Sequence, residues 1–141
     1  MPNWCENRLY LEHDDNSKLG EIVKSFKKGE LFSYVAPQPT DLHHNEVLQW
    51  RRKEWGTKWD VGNEESDGDI CSFDVDWNYA EFRFDTAWNP PIPIYQKLFQ
   101  QGFDVKAYYQ EPANCFAGKF EDGEQYLWED LPFDVIEEFR E

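Results

Sequence analysis

The sequence predicts an α+β fold built around one antiparallel sheet. Several short segments alternate apolar and polar residues, which is the pattern of half-buried strands. Other segments between them repeat apolar residues with helical spacing. Aromatic residues make up 18% and hydrophobic residues 40% of the 141-residue chain, enough to form the core of one domain. We therefore expect residues 1–141 to fold as a single domain.

The first predicted unit is a strand followed by a helix. Trp4–Leu11 alternates along its length and is predicted to be the first strand. Lys18–Lys28 carries an apolar stripe with helical spacing, with Asn16 or Ser17 as the candidate cap. Gly29 is expected to end this helix.

An insert of about residues 30–68 follows the first helix. It begins with a short apolar stretch, Leu31–Val35, and continues into a Trp-rich helix predicted over Leu42–Trp55. Gly56 is expected to end that helix. The insert therefore separates the first strand–helix unit from the rest of the sheet.

The second half of the chain resumes the alternation. Ile70–Trp77 and Tyr79–Thr86 are predicted strands joined by a tight turn at Asn78. Asn89 is expected to cap a helix that runs to about Gln101. Asp104–Gln110 then alternates again as a strand.

The resulting order is β-α-(insert)-β-β-α-β, which is the ferredoxin-like arrangement. An acidic C-terminal extension of about residues 113–141 adds a hairpin, Asn114–Phe120 with Glu124–Trp128, and a short helix over Pro132–Arg140. In this fold two helices cover one face of the sheet. The other face is either open or covered by the C-terminal elements.

The net charge is −15, and it is unevenly distributed. Residues 1–56 carry a net −1, residues 57–110 a net −6 and residues 111–141 a net −8. Such a field repels nucleic acid and anionic membranes and attracts basic surfaces. We therefore expect a protein partner with a basic surface, and neither a nucleic-acid nor a membrane partner. Solubility alone is the other explanation of this acidity.

Nothing in the sequence suggests export or a membrane span. No stretch approaches the roughly 18 apolar residues that a transmembrane helix needs. The N-terminal residues lack the basic and apolar regions of a signal peptide. Cys5, Cys71 and Cys115 are odd in number and far apart, so we expect reduced thiols and a cytoplasmic protein.

The sequence gives no credible catalytic site, and it predicts no metal and no cofactor. The cysteines and histidines lack zinc-ligand spacing, and the acidic loop Glu64–Asp69 lacks the ligand pattern of an EF-hand. Asp74 and Asp76 project from one strand face, but 29 acidic residues produce such pairs by chance. A binding role is therefore favoured over catalysis, although a small enzyme stays open.

Candidate binding residues come from two aromatic clusters and from one sheet face. The clusters run from Trp50 through Trp55–Asp60 and from Thr86 to Pro91. The first interpretation of these rings is that they plug the ends of a small core, and the functional alternative is a partner-binding surface, since Trp, Tyr and Arg are typical interface anchors. The candidates are Trp50, Trp55, Thr57, Lys58, Trp59, Asp60, Trp88, Arg83, Arg8 and Tyr10.

Several short motifs resemble one known family. They are Met1–Asn7, Trp55–Asp60, Thr86–Pro91, and Tyr109–Pro112 followed by Phe116–Gly118, and the order and spacing resemble the YubB ferredoxin-like domain family. The resemblance covers about residues 1–120 and implies a ferredoxin-like fold and an origin in phages, plasmids or genomic islands. It also implies a bacterial host cell. The family has no established activity to transfer to these residues.

Two functional hypotheses follow. In the first, the chain is a non-catalytic protein-binding module that acts through acidic and aromatic surface, with nucleic-acid mimicry against host defence as one version. In the second, it is a small enzyme or a nucleotide- or RNA-binding domain that uses the Trp55–Asp60 segment and the Arg8/Arg83 sheet face. A homodimer formed through a sheet edge or an aromatic patch is a third possibility.

Overall fold

The computed structural model describes residues 3–61, 68–74, 78–111 and 116–129. Within those ranges the chain forms six strands and four helices. In chain order they are β1 (Trp4–Glu12), α1 (Asn16–Lys27), α2 (Leu31–Val35), α3 (His44–Glu54), β2 (Gly68–Asp74), β3 (Tyr79–Ala87), α4 (Ile92–Gln100), β4 (Asp104–Glu111), β5 (Phe116–Glu121) and β6 (Glu124–Glu129). The helix predicted over residues 132–140 and the end of the strand predicted to Trp77 lie outside the described residues.

The strands form one sheet in the order β2-β3-β1-β4-β5-β6, and every neighbouring pair is antiparallel. The first four strands with α1 and α4 follow the ferredoxin-like order that the sequence predicts. The hairpin of β5 and β6 continues the sheet beyond β4. The alternative in which this hairpin covers the second face of the sheet is therefore wrong, because its backbone pairs edge-on.

The core lies between the helices and one face of the sheet. Alternate residues of β1, including Leu9 and Leu11, are fully buried, and Phe82 and Phe84 of β3 lie beside them in the same cluster. α1 contributes Leu19, Ile22, Val23 and Phe26, and α4 contributes Ile94 and Leu98. Each large apolar side chain buried here contributes about 1.5–3 kcal/mol to stability. The residues that alternate with these buried ones in β1 and β3 point to the other side of the sheet, away from the helices.

The starts of α1 and α4 differ from the sequence prediction. Asp15, rather than Asn16 or Ser17, caps α1, and its Oδ1 accepts a hydrogen bond from the Ser17 amide at 2.9 Å. α4 starts at Ile92 rather than at Asn89. A residue that precedes a proline disfavours the helical conformation, and both Asn89 and Pro90 are followed by a proline. The Thr86–Pro91 segment is therefore a turn that leads into the helix.

The two helices of the insert have different roles. α2 buries Leu31, Phe32 and Val35 in the core. The sequence predicts these residues only as a short apolar stretch and not as a helix. α3 starts at His44, two residues later than predicted, and none of its residues is buried. It lies on the outside of the domain, where Trp50 packs partly against the core. None of the helices described is long and apolar enough to cross a membrane.

Candidate functional site

The second sheet face, defined as the side of β1, β3, β4, β5 and β6 turned away from the helices, carries charged and aromatic side chains in rows. The registers place like charges directly opposite each other across neighbouring strands. Like charges that stand directly opposite each other destabilise a sheet by a few tenths to about 1 kcal/mol for each pair. The like-charged partners are Glu6 with Asp85, Arg8 with Arg83, and Glu12 with Asp104.

One end of this face forms a groove of about 590 Å³, which we call the tyrosine groove. It lies where β1 ends and β4 begins, beside the start of β3 and the turn between β5 and β6. It is lined by Tyr10, Glu12, Tyr79, Asp104, Val105, Lys106, Tyr108, Glu121 and Asp122.

Three tyrosine rings form the aromatic part of this groove. The centroid of Tyr10 lies 6.3 Å from that of Tyr79 and 6.2 Å from that of Tyr108, the second pair edge to face. Aromatic faces attract cations, and the Lys106 ammonium already lies 5.7 Å from the Tyr108 centroid. The rings therefore offer a surface suited to cationic groups.

Four carboxylates line the same groove against the single ammonium of Lys106. Glu12 and Asp104 are both exposed and face each other in the β1–β4 register. Glu121 forms a salt bridge with Lys119 at 3.3 Å, and Asp122 Oδ1 accepts a hydrogen bond from the Val105 amide at 3.0 Å. Glu12 and Asp104 are thus the carboxylates best placed to meet a ligand.

The environment of Tyr10 keeps its phenol neutral. Burial and a hydrogen bond to Glu81 together raise the pKa of Tyr10 to about 12, against the opposing effect of Arg8. A neutral ring retains its hydroxyl proton for hydrogen bonding across the physiological range. Tyr10 is the one sequence candidate that lies in this groove.

Part of the Trp-rich motif serves the fold. Trp55 is 1% exposed, and its Nε1 donates a hydrogen bond to the Ala36 carbonyl at 2.9 Å. Trp50 packs edge to face against it at 5.6 Å. The Asp60 carboxylate accepts hydrogen bonds from the amides of Phe32 and Ser33 at the start of α2, at 2.9 and 2.8 Å. These candidates stabilise the insert and present little contact surface.

The rest of the motif meets the turn after β3 at a second cavity, which we call the Trp88 pocket. Its volume is about 230 Å³. It is lined by Arg52, Gly56, Thr57, Lys58, Ala87, Trp88 and Asn89. The predicted candidates Thr57, Lys58 and Trp88 are therefore brought together, and Arg52 joins them.

The backbone of Trp88 is strained. Its φ is +71°, in the left-handed region that a bulky residue rarely adopts, at a cost of about 1–3 kcal/mol. Its side chain is nevertheless 43% exposed. The Trp88 amide donates a hydrogen bond to the Asn3 carbonyl at 2.8 Å, which holds this conformation in place. Core packing of this indole does not account for the strain.

The remaining candidates lie apart from both cavities. Arg8 and Arg83 face each other in the middle of β1 and β3, and neither lines the Trp88 pocket. The Trp59 ring packs at a tilt against Trp4, with the centroids 6.0 Å apart, and the Lys58 ammonium lies 4.5 Å from the Trp59 centroid. Lys58 and Arg83 are therefore not gathered into one deep site, the arrangement that would have favoured an enzyme.

Sequence reasoning missed several residues of the tyrosine groove. Glu12, Tyr79, Asp104 and Tyr108 belong to the same alternation phase as their strand neighbours on the second face. The sequence alternation predicts which side of each strand a residue lies on. It does not predict the register that brings these four residues beside Tyr10, because register depends on pairing between segments distant in the chain.

Metal and thiol chemistry find little support among the residues described. Within residues 3–61, 68–74, 78–111 and 116–129, no group of three or more His, Cys, Asp or Glu side chains is placed to hold a metal ion. Cys5 is fully buried, and burial raises the pKa of its thiol far above the ordinary value. A buried neutral thiol is a poor nucleophile.

Taken together, the sheet order and the helix positions define a ferredoxin-like α+β domain. A family model described as the ferredoxin-like domain in Api92-like protein matches residues 54–140, and the chain belongs to that family. The match confirms the ferredoxin-like fold, under the Api92-like name rather than the YubB name that the motifs suggested.

One solved structure and the curated proteins complete the comparison. The crystal structure of a protein api92 from Yersinia pseudotuberculosis is similar at 17% sequence identity and a TM-score of 0.42. The similarity covers 67% of this chain and 33% of that one, so this chain matches about a third of the length of its relative. No curated protein matches the chain.

Proposed function

We propose that this chain is a non-catalytic binding module that docks a basic segment of a partner protein in the tyrosine groove. The observation that carries the proposal is the composition of that groove. Three tyrosine rings lie within reach of one another and share the groove with four carboxylates. Rings and carboxylates both favour a cation, and the ring faces also accept its apolar stem.

The chemistry fits a lysine or arginine side chain better than a bare metal ion. A hard metal ion needs several oxygen ligands that converge at one point. Glu12 and Asp104 stand at the exposed rim of the groove, and Asp122 Oδ1 already accepts a hydrogen bond from the Val105 amide. A long cationic side chain can lie along the rings and reach the rim carboxylates with its head. An arginine- or lysine-rich segment is therefore the ligand that we propose.

The charge of the whole chain supports the same partner. A net charge of −15 steers basic surfaces toward the module and speeds association at low ionic strength. Proteins that bind nucleic acid present such surfaces, so a nucleic-acid-mimicking module that blocks one of them is the version we favour. An anti-defence role in a mobile element, acting in the cytoplasm of a bacterial host, extends this proposal and depends on the family resemblance.

Calorimetric titration with a short synthetic peptide tests the docking site. The probe is an arginine- and lysine-rich peptide, compared with an analogue in which glutamine replaces every basic residue. The double variant Glu12→Gln/Asp104→Asn removes the rim charges, and Glu21→Gln/Asp41→Asn removes the same charge at exposed positions outside the groove. The Tyr10→Leu variant tests the aromatic part of the site.

We expect the basic peptide to bind in a salt-sensitive manner and the glutamine analogue not to bind. The rim variant should weaken binding by about tenfold, equivalent to about 1.4 kcal/mol, and the control variant by much less. Equal losses in both double variants would mean that net charge alone attracts the peptide, and the docking site would then be rejected. Full retention of binding by Tyr10→Leu would also contradict it.

A further inference from the structure

We infer a second binding site in the Trp88 pocket, which takes a nucleoside phosphate. The base stacks on the exposed indole of Trp88, and the phosphate lies between the cations of Arg52 and Lys58. This site is separate from the tyrosine groove and does not depend on the function proposed for it.

The charge of the pocket is opposite to that of the chain as a whole. Arg52 and Lys58 are the charged residues among the seven that line it, and both are positive and exposed. The last turn of α3 accounts for the position of Arg52, because cations are favoured at a helix C-terminus. Lys58 lies four residues beyond the end of the helix, and its ammonium lies 4.5 Å from the centroid of the Trp59 ring while the residue also lines this cavity. Two cations on an acidic protein thus meet at one cavity.

The ring of Trp88 supplies the second half of the ligand chemistry. The indole is 43% exposed although its backbone sits at a φ of +71°. A conformation that is held against its intrinsic preference, with the side chain turned to solvent, is a feature of sites that present a group to a ligand. Flat heteroaromatic bases stack on such a ring in a sequence-tolerant manner.

Close contacts hold the two segments of the pocket together. Gly56 has a φ of +80° and packs so closely that a Cβ there would lie 2.7 Å from Pro93 Cδ at the start of α4 and 3.2 Å from the Pro90 carbonyl oxygen in the turn after β3. Thr57 Oγ1 donates a hydrogen bond to the Ala87 carbonyl at 2.9 Å. These contacts hold the segment after α3 against the turn after β3, so the backbone positions of Lys58 and Trp88 keep a fixed relation.

A nucleoside phosphate explains both halves of the site. Inorganic phosphate would not contact the exposed indole through stacking, and an uncharged ring would not use the two cations. The volume of about 230 Å³ accommodates part of a mononucleotide, with the remainder at the exposed rim. A free nucleotide and the end of a single strand share this chemistry.

The two sites lie at opposite ends of the central strands. Trp4 pairs with Ala87 beside the Trp88 pocket, and Glu12 pairs with Tyr79 at the tyrosine groove. Eight residue steps of extended strand correspond to roughly 25 Å. A basic segment and a nucleotide can therefore be bound at the same time without sharing a contact.

Titration of the full chain, with binding monitored by NMR through the tryptophan indole N–H signals, tests this site. The probes are adenosine monophosphate, adenosine, inorganic phosphate and a short single-stranded oligonucleotide. Trp88→Gly removes the ring and places at this φ the residue that adopts it most readily. Arg52→Gln/Lys58→Gln removes the cations, and Lys53→Gln is the matched control, an exposed cation of the same helix turn that does not line the pocket.

We expect adenosine monophosphate to bind about tenfold more tightly than adenosine or phosphate, and Trp88→Gly to weaken it by about tenfold. The double cation variant should reduce its affinity to that of adenosine, and Lys53→Gln should not change it. Unchanged nucleotide binding in both Trp88→Gly and the cation variant would overturn the inference, as would equal binding of phosphate alone.

The oligonucleotide shows whether the ligand is a free nucleotide or the end of a single strand. Binding about tenfold tighter than that of the mononucleotide identifies a single strand as the ligand, and equal or weaker binding identifies a free nucleotide. Because the tyrosine groove is intact in all of these variants, its peptide binding should be unchanged. Loss of one activity therefore leaves the other independently testable.

Discussion

At the scale of single residues, Gly118 shows why one small side chain is required in β5. It pairs with Tyr109 of β4, and the Tyr109 ring lies across the place that a larger side chain would occupy. The Tyr109 hydroxyl in turn accepts a hydrogen bond from Gln125 Nε2 at 2.8 Å. Gly118, the last residue of the Phe116–Gly118 motif, therefore has a packing explanation.

Gly118→Ala should destabilise the fold by about 1–3 kcal/mol because the new Cβ overpacks this position. It would lie 2.6 Å from Tyr109 Oη and closer still to the Tyr126 carbonyl oxygen, which is backbone and cannot easily move. Urea unfolding monitored by tryptophan fluorescence measures the loss.

Gly20→Ala is the matched control for that substitution. Gly20 lies inside α1, and a Cβ there would meet nothing within 4 Å. Helix propensity predicts that it stabilises the fold by up to about 1 kcal/mol. Equal effects of the two substitutions would contradict the packing explanation of Gly118.

At the scale of elements, α2 is specified by a residue far away in the chain. The helix has five residues and no side-chain cap of its own. Asp60 fills that role from the end of the insert, and its carboxylate also accepts a hydrogen bond from Ser33 Oγ at 2.7 Å. A helix this short is marginal without tertiary contacts. The cap and the burial of Phe32 together hold it in place.

Asp60→Ala should therefore cost about 1–3 kcal/mol, since it leaves two α2 amides and one hydroxyl without their acceptor. Asp41→Ala, an exposed carboxylate in the loop before α3, should change stability by no more than about 0.5 kcal/mol. Thermal and urea unfolding of both variants provide the comparison. A similar small effect for both would show that Asp60 does not anchor α2.

At the scale of the whole molecule, the tyrosines link stability to alkaline pH. Burial raises the pKa of Tyr95 and of Tyr109 above the ordinary value, and raises that of Tyr10 to about 12. Each of these groups holds its proton more tightly in the folded chain than in the unfolded chain. The stability that they contribute is fully present below pH 10 and is lost as the pH rises from 10 through 12.

The free energy of unfolding should accordingly fall steeply above pH 10, where unfolded tyrosines ionise and folded ones do not. Urea unfolding at a series of pH values measures the fall, and tyrosinate absorbance of the native chain reports how many phenols resist ionisation. Tyr10→Phe should remove part of the loss. Ionisation of all seven tyrosines near pH 10 in the native chain would contradict the expectation.

Much of the fold was predictable because it depends on local patterns. The alternation in Trp4–Leu11 and Tyr79–Thr86 predicted both central strands to within one residue, and the apolar stripe of α1 predicted its helix. Helix ends were predicted less well, since α4 starts after the prolines and α2 depends on a distant carboxylate. Of the candidate residues, Lys58 and Trp88 reach a cavity together, while Trp55 is buried in the core.

The sequence by itself determined the α+β class, the order of the elements and the strong negative charge, because periodicity and composition are properties of the chain alone. Only the tertiary structure decided which side chains share a surface. The tyrosine groove exists because register places Tyr79 opposite Glu12, and Glu12 opposite Asp104. The Trp88 pocket exists because a turn after α3 packs on a turn after β3. Both depend on contacts between segments distant in sequence, which no local pattern encodes.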